Sequence, residues 1–250
     1  MGTAAYPAAI GDGSPGPAAL LLLADGRFPA GGHAHSGTFE AVSQLEGIND
    51  VPSMQQFLLG RLHTVGVVAA AFAAAACAAV RREGHATGDR SDVTPIMRLA
   101  ELDSELDART PSPALRTTSR RLGRQALRAG RLIWPNAILE ALTATITSPH
   151  QPVAFGAVAA AAGLAPADAA LAVAHDATIG PATAAVRLLG LDPFTVHAAL
   201  ARLAPDINAV AAQGAQHVHS APDELPATSA PLLDIAAEYH STWEVRLFAS

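Results

Sequence analysis

Alanine supplies much of the apolar content of this chain, and this constrains the possible fold more than any motif does. Half of the 250 residues are hydrophobic but only 4% are aromatic, so alanine and leucine make up most of the apolar side chains. Alanine has the highest intrinsic helix propensity, and the β-branched residues form no long alternating runs. The sequence therefore predicts an all-α protein.

Proline and glycine divide the helical pattern into segments, because proline favours the first turn of a helix and glycine its end. From 153 to 219 the pattern predicts a string of helices with breaks at 163–166, 180–181, 190–193 and 204–206. The longest segment, 54–82, fits one helix or two abutting ones. The remaining predicted helices cover residues 18–24, 38–46, 95–109, 114–131, 135–146 and 232–242. We expect a single-domain bundle of roughly eight to ten helices.

The two ends of the chain differ in composition from its middle. Residues 1–17 are rich in Gly, Pro and Ala and predict a flexible leader. Residues 220–231 form a second Pro-rich segment, followed by the last predicted helix and the sequence WEVRLFAS. We therefore divide the chain into a leader (1–17), an all-α domain (18–219), and a linker with a C-terminal arm that binds a partner (220–250).

The most apolar stretch, residues 65–80, predicts a buried helix. Its sixteen residues fall short of the about 20 that span a bilayer. No basic segment followed by an apolar one marks the N-terminus as an export signal. We expect a soluble, cytoplasmic protein that does not bind a membrane.

Several chemistries are excluded by composition. All sixteen basic residues are arginine, so the chain has no lysine for a Walker A loop or a Schiff base. A net charge of −6 gives no general attraction to nucleic acid. The one cysteine, Cys77, allows no disulfide framework or Cys-based metal site. No catalytic constellation, resident metal or cofactor is predicted.

The loop FPAGGHAHSG (residues 28–37) is the most distinctive segment. Its paired glycines, Gly31 and Gly32, allow backbone angles closed to other residues, and the loop leads into the N-terminus of a predicted helix. Free N–H groups at such a terminus suit an anion or a partner's carbonyl group. A structural turn or a partner-contact loop is the interpretation we favour.

Two other interpretations of this loop stay open. His33 and His35 could share a metal if the backbone were extended, although a tight zinc site needs three protein ligands. Ser36 beside His35 suggests a nucleophile and its base, although sequence neighbours rarely point at one another usefully.

Four arginines recur at i+4 spacing on the predicted helix 114–131 and form one stripe: Arg116, Arg120, Arg124 and Arg128. The nearby acidic residues lie on the preceding helix, so the stripe is not neutralised locally. It can pair within the chain or with an acidic protein. A nucleic acid is the third alternative, and the overall acidity counts against it.

The segment 243–250 combines Trp243, Val245, Leu247 and Phe248 with Arg246, and His240 precedes it in the last helix. Exposed aromatic residues beside an arginine are typical of interface hot spots. A tail folded back on its own core is the equal alternative.

Five segments in order resemble the urease accessory protein UreF family, in its actinobacterial form. They are LLLADGRFPAGGHAHSGTFEAV (21–42), ELDSELDARTPSPALRTTSRRLGRQALR (101–128), HQPVAFGAVAAAAGL (150–164), AAVRLLGLD (184–192) and PLLDIAAEYHSTWEVRLFAS (231–250). The resemblance covers about residues 18–250. It departs from the family where a usual L-G-Q is replaced by Gly190, Leu191 and Asp192.

This resemblance implies a non-enzymatic assembly chaperone for the nickel-dependent maturation of urease. Family members are all-α, form homodimers and bind UreD (also called UreH). They recruit or modulate the GTPase UreG and act on apo-urease. Carried over to this sequence, the candidate partner-binding residues are Phe28, Pro29, Gly31, Gly32, His33, His35, Ser36, Glu40, Arg116, Arg120, Arg124, Arg187, His240, Arg246, Leu247 and Phe248.

Two functions from other classes are also compatible with the sequence. One is an adaptor that binds an unrelated acidic partner through its arginine stripe. The other is a small metalloenzyme that uses His33, His35 and a distant carboxylate.

Overall fold

Helices account for all the regular structure in residues 16–83 and 94–250, the part of the chain that the computed structural model describes, and no strand occurs there. The α-helices are α1 (Gly16–Ala24), α2 (Phe39–Leu45), α3 (Val51–Arg61), α4 (Val67–Glu83), α5 (Pro95–Ala108), α6 (Pro113–Ile133), α7 (Ala137–Thr145), α8 (Gln151–Ala161), α9 (Pro166–Leu189), α10 (Pro193–Ala215) and α11 (Pro231–Ser241). A π-helical turn, Leu62–Gly66, joins α3 to α4 without a break. The predicted all-α bundle is confirmed.

Side-chain caps set the starts of several helices. Asp50, Thr94, Ser112 and Asp192 each accept a hydrogen bond from a backbone N–H in the first turn that follows. These caps satisfy amide groups that have no partner inside the helix. Helix α7 starts later than the predicted residue 135, because Asn136 provides its cap.

Two of the four predicted breaks after residue 153 are wrong. The breaks at 163–166 and 190–193 separate α8, α9 and α10. Pro181, however, lies inside α9, and Pro205 lies inside α10. Pro181 cannot donate to the carbonyl of Ala177, and the Nε of Arg61 donates to that oxygen instead at 3.1 Å. Pro205 is exposed, so the carbonyl freed there can bind water.

Helix α4 lies at the centre of the bundle and contacts α5, α8, α9 and α10. All but one of its alanines are buried, and glycines let neighbouring helices approach its backbone. A Cβ on Gly156 would lie 2.3 Å from the Ala73 carbonyl oxygen, and one on Gly214 would lie 2.9 Å from the backbone of Ala70. Residues 51–81 are long and apolar enough to cross a membrane, but 78% of their most apolar window is buried in the bundle. The predicted core helix is confirmed.

The C-terminal arm, residues 220–250, packs back onto the bundle. Helix α11 contacts α2 and α6. Ahead of it, the hydroxyl of Thr228 donates to the carbonyl of Thr64 in the π-helical turn at 2.9 Å. Of the predicted leader, residues 1–15 lie outside the described residues, and α1 begins at Gly16. The division into a leader, a domain and an arm stays a prediction.

Candidate functional site

The glycine-rich loop turns sharply before α2. Gly31, Gly37 and Thr38 have φ angles of 82°, 59° and 72°, and Thr38 is the one non-glycine residue with positive φ in the described part of the chain. Gly31 lies against α6, where a Cβ would fall 1.9 Å from the Oε1 of Gln125. A side chain at Gly31 is therefore disfavoured by the backbone conformation, and the Gln125 amide would also have to move.

The loop pairs with the last residues of the chain through the backbone. The N–H of Ala249 donates to the carbonyl of Ala34 at 2.8 Å, and the N–H of Ser36 donates to the backbone oxygen of Ser250 at 2.6 Å. The hydroxyl of Ser36 also donates to that oxygen at 2.7 Å. Two segments that are more than 200 residues apart in sequence thus form one surface.

A buried carboxylate holds the tail in this place. The Oε1 of Glu40 accepts the N–H of Leu247 at 2.8 Å, and its Oε2 accepts the N–H of Phe248 at 2.9 Å. The Nε2 of His240 lies 3.0 Å from the same Oε2, and both side chains are almost fully buried. We call Ser36, Glu40, His240 and Phe248 the tail clasp.

His35 lies next to the tail clasp and is also buried. Its Nδ1 is 2.6 Å from the Oγ of Ser250. Burial, with smaller contributions from the positive charges of Arg121 and His33, lowers the pKa of His35 to about 4. The imidazole is therefore neutral at pH 7.

The outward side of the tail clasp is basic and apolar. His33, Arg187, Arg246 and Leu247 line one shallow depression of the surface. The guanidinium of Arg187 lies over the buried Phe248 ring, 4.7 Å from its centroid. These four side chains are exposed, so this face is open to a partner.

Helix α11 exposes an apolar stripe next to this face. Leu232, Ile235 and Tyr239 follow one another at i, i+3 and i+7, and they are 62%, 61% and 51% exposed. The opposite side of the helix buries Leu233 and Ala236 against the bundle. Trp243 continues the stripe, with its ring 5.5 Å from that of Tyr239 in an edge-on arrangement.

The arginine stripe of α6 pairs largely within the chain. Arg120 donates to Asp103 at 3.0 Å and to Asp107 at 2.6 Å, both on α5. Arg116 donates to the carbonyls of Thr110 and Pro111. Arg124 is exposed and donates to the hydroxyl of Ser148 at 2.8 Å. Intramolecular pairing is thus the correct alternative for Arg116 and Arg120.

A polar network that the sequence did not indicate lies behind this pairing. The fully buried His150 contacts the Oγ of Ser119 through Nδ1 and the carboxylate of Asp107 through Nε2, each at 3.0 Å. Burial lowers the pKa of His150, although Asp107 opposes this shift. The same Ser119 Oγ accepts the N–H of Gln151 at 3.1 Å, so the network caps the start of α8. Its three side chains come from α5, α6 and the residue before α8, which no local motif predicts.

His33 and His35 of the loop are not positioned to bind one metal ion together. Gly32–Ala34 form a 3₁₀ turn, so the loop is not extended at His33. His33 is exposed whereas His35 is buried against Ser250. Among the residues that the structure describes, no three His, Cys, Asp or Glu side chains cluster as metal ligands would.

Apart from Gly31 and the three arginines of α6, the predicted site residues fall into three groups. Ser36, Glu40, His35, His240 and Phe248 are buried and hold loop and tail together. Pro29, Gly32, His33, Arg187, Arg246 and Leu247 are exposed around that junction. Phe28 stacks on Trp134 at 6.1 Å between ring centroids, which fixes the start of the loop against the end of α6. Partner binding by any of them stays a prediction.

Comparison with known proteins agrees with the segments that suggested a family. The UreF family model matches residues 48–204. Urease accessory protein UreF of Mycobacterium sp. (strain JLS) is 42% identical over 231 residues, which cover 92% of this chain and 97% of that protein. The protein of the same name from Mycobacterium tuberculosis (strain H37Rv) is 36% identical over 233 residues, or 93% of this chain and 98% of that protein. The chain therefore belongs to the UreF family of urease accessory proteins.

Proposed function

We propose that this protein is a non-enzymatic accessory factor in the nickel-dependent maturation of urease. It binds a UreD/UreH-type accessory protein, recruits or modulates a UreG-type GTPase, and acts on apo-urease as a homodimer in the cytoplasm. Nickel is cargo of the assembly and not a resident cofactor of this chain. Membership of the UreF family is the observation that carries this proposal.

The partner surface that we propose is the outward face of the loop and tail together with the stripe on α11. Its depression carries Arg187 and Arg246, which suit carboxylates on an acidic partner. Ile235 and Tyr239 add exposed apolar area of the kind that is enriched at the centre of protein interfaces. The tail clasp lies beneath this surface and holds it in one conformation. Less conformational entropy is therefore lost when a partner binds.

The alternatives from the sequence have less support. An adaptor that uses the whole arginine stripe would need Arg116 and Arg120, whose guanidinium groups already donate to groups of this chain. A metalloenzyme built on His33 and His35 would need the two imidazoles to meet, and they lie in different environments.

The test is co-expression of the urease structural and accessory genes with and without this chain. We expect urease activity and urease-bound nickel to be lost together when the chain is absent. Full activity without the chain would contradict the proposed function.

A surface variant tests the proposed interface in the same system. In Arg246→Ala/Leu247→Ser both side chains are shortened, while the backbone N–H groups that Glu40 binds are kept. We expect co-purification with the UreD-type and UreG-type proteins to fall at least tenfold. Arg202→Ala is the matched control, because Arg202 is exposed on α10 and pairs only with Gln55 among the described residues. An equal loss of co-purification in Arg202→Ala and in Arg246→Ala/Leu247→Ser would mean that the interface lies elsewhere.

A further inference from the structure

A cavity of about 490 Å³ lies beneath the loop, between the bundle and the C-terminal arm. Its walls come from the end of α1, the π-helical turn, α6, α9 and the arm. Most of the lining side chains are apolar, and they include Leu23, Val65, Leu115, Phe155 and Leu233. The volume is within the range of pockets that hold small organic ligands, about 300–1,000 Å³.

One arginine in this wall is held in place by the fold. Arg61 lies at the end of α3, and its Nε donates to the carbonyl of Ala177 at 3.1 Å. That carbonyl is available because Pro181, four residues later in α9, has no N–H to donate to it. Gly37 packs against the guanidinium, since a Cβ at Gly37 would lie 3.2 Å from Nη2. The proline and the glycine thus fix the position of the arginine.

The far edge of the Arg61 guanidinium is not used by the described residues. No carboxylate among them lies within 4.0 Å, and neither Nη group donates a hydrogen bond to them. Burial lowers the pKa of Arg61, and the negative charge of Asp176 only partly opposes this. The Arg61 side chain is half-buried and has no carboxylate within 4.0 Å, so an anion in the cavity would gain a charge-assisted hydrogen-bond partner.

Five other charged side chains line the cavity, namely Asp25, Arg109, Asp176, Arg187 and Asp234. Asp176 accepts a hydrogen bond from the Nε2 of Gln151, and Asp234 accepts one from the N–H of Ser112, each at 3.3 Å. Asp25 pairs with Arg27, and Arg187 lies over the ring of Phe248. Arg109 pairs with Glu105 and donates to carbonyls of the arm. The ligand chemistry is therefore set chiefly by the open guanidinium edge of Arg61 and by walls that are largely apolar.

Backbone strain occurs at the same wall. Thr38 lines the cavity with a φ of 72°, a left-handed conformation that non-glycine residues rarely adopt. Such strain is common where a loop is shaped around a ligand.

We propose that this cavity binds a small organic carboxylate with an apolar body, and that its carboxylate pairs with the two Nη groups of Arg61. Since Leu233 and Phe248 of the arm form one wall, the ligand also stabilises the docked arm. This proposal does not depend on the role of the protein in urease maturation.

Titration calorimetry of the purified full chain with octanoate tests the proposal. We expect saturable one-to-one binding of octanoate and at least tenfold weaker binding of 1-octanol, which has the same chain length and no charge. In Arg61→Gln, octanoate affinity should fall at least tenfold. Arg202→Gln removes an exposed arginine on α10 and should bind octanoate as the unaltered chain does.

Hydrogen exchange locates the bound ligand. Octanoate should slow amide exchange in residues 231–250 of the unaltered chain and of Arg202→Gln, but not of Arg61→Gln. Equal affinity for octanoate and 1-octanol, unchanged affinity in Arg61→Gln, or no binding at 10 mM octanoate would each overturn the proposal. All of these measurements use the chain alone, so a failed urease experiment would not affect them.

Discussion

Glu40 shows how one side chain can order a segment that lies far away in sequence. Its two oxygens accept the N–H groups of Leu247 and Phe248 and contact His240. Because two of these donors are backbone groups, the contact specifies the path of the tail and not the identity of its side chains. Leu247 can therefore face outward while its N–H is bound inward.

We expect Glu40→Gln to release the tail. The substituted amide would point an NH₂ group at one of the N–H donors, and a buried donor without an acceptor costs about 1–3 kcal/mol. Urea unfolding at constant pH should show a loss of about 2 kcal/mol, together with faster proteolysis of the arm. Glu46→Gln, an exposed change at the end of the same helix, should stay within about 0.5 kcal/mol. Equal effects of the two substitutions would exclude the tail clasp as the cause.

His35 gives the tail clasp a dependence on pH. Its pKa of about 4 in the folded protein lies below the ordinary 6.5, so the unfolded chain takes up the proton first as pH falls. Stability due to this histidine is therefore present above pH 6.5 and is lost as the pH drops toward 4. Allowing for partial solvent access to the ring, the loss is on the order of 2 kcal/mol.

The urea concentration at the midpoint of unfolding, measured from pH 7 to pH 4.5, tests this pH dependence. The midpoint should fall less steeply in His35→Gln than in the unaltered chain. His33→Gln removes an exposed histidine from the same loop and should keep the original slope. Parallel slopes in all three proteins would contradict a neutral buried His35.

At the scale of helices, small residues determine how closely the elements pack. Gly156 brings α8 against the Ala73 carbonyl of α4, and Gly130 brings α6 against Val158 of α8. These contacts leave no room for a methyl group. The alanine content that predicts helices also allows them to lie close together.

Gly156→Ala should therefore destabilise the protein even though alanine favours helices. The added Cβ would meet backbone 2.3 Å away, which cannot move without shifting α4. We expect a loss of about 2–3 kcal/mol from overpacking, measured by thermal or urea unfolding.

Gly60→Ala in α3 is the matched control. A Cβ there meets nothing within 4 Å, so we expect a gain of about 0.5–1 kcal/mol from helix propensity. A gain at both positions would mean that α8 and α4 are not in close contact.

The sequence predicted helices best where the signal was local. Thr94 and Pro95 marked the start of α5 correctly, because a cap and a first-turn proline act within a few residues. Pro181 predicted a break that does not exist, because the Ala177 carbonyl finds its donor on Arg61, 116 residues away. Asp192, which departs from the usual family pattern, caps α10.

The candidate site, like the helices, was predictable only where the sequence signal was local. The loop and the tail were both identified from their residues, and pairing of the arginine stripe within the chain was one of the alternatives. The contact of Glu40 with the tail and the network around His150 were not predictable, since each joins segments of distant sequence. Arg61 carried no local signal, because its importance depends on Pro181 and Gly37.

At the scale of the whole molecule, the arm belongs to the folded bundle as well as to the proposed interface. Removing residues 243–250 would leave Glu40 buried without its two backbone donors and would uncover the site of Phe248. We expect the truncated protein to remain helical by circular dichroism but to lose about 2–4 kcal/mol of unfolding free energy.

Co-purification and stability measurements together distinguish the two roles of the tail, which are to stabilise the fold and to contact partners. The truncated protein should fail to co-purify with its accessory partners and be less stable, whereas Arg246→Ala/Leu247→Ser should fail to co-purify at nearly unchanged stability. A truncated chain that still co-purifies with its partners would refute the role of the tail in the interface.

The alanine-rich centre of the bundle also bears on how this protein adapts to others. A methyl group has no rotamers, so α4 and its neighbours cannot adjust to a displaced helix by turning side chains, as a core of leucine and methionine can. Displacement of one of these helices must therefore shift the entire backbone of the neighbouring helix. We therefore expect accommodation of partners to be confined to the rim, where the loop and the tail meet, while the interior acts as an inflexible frame.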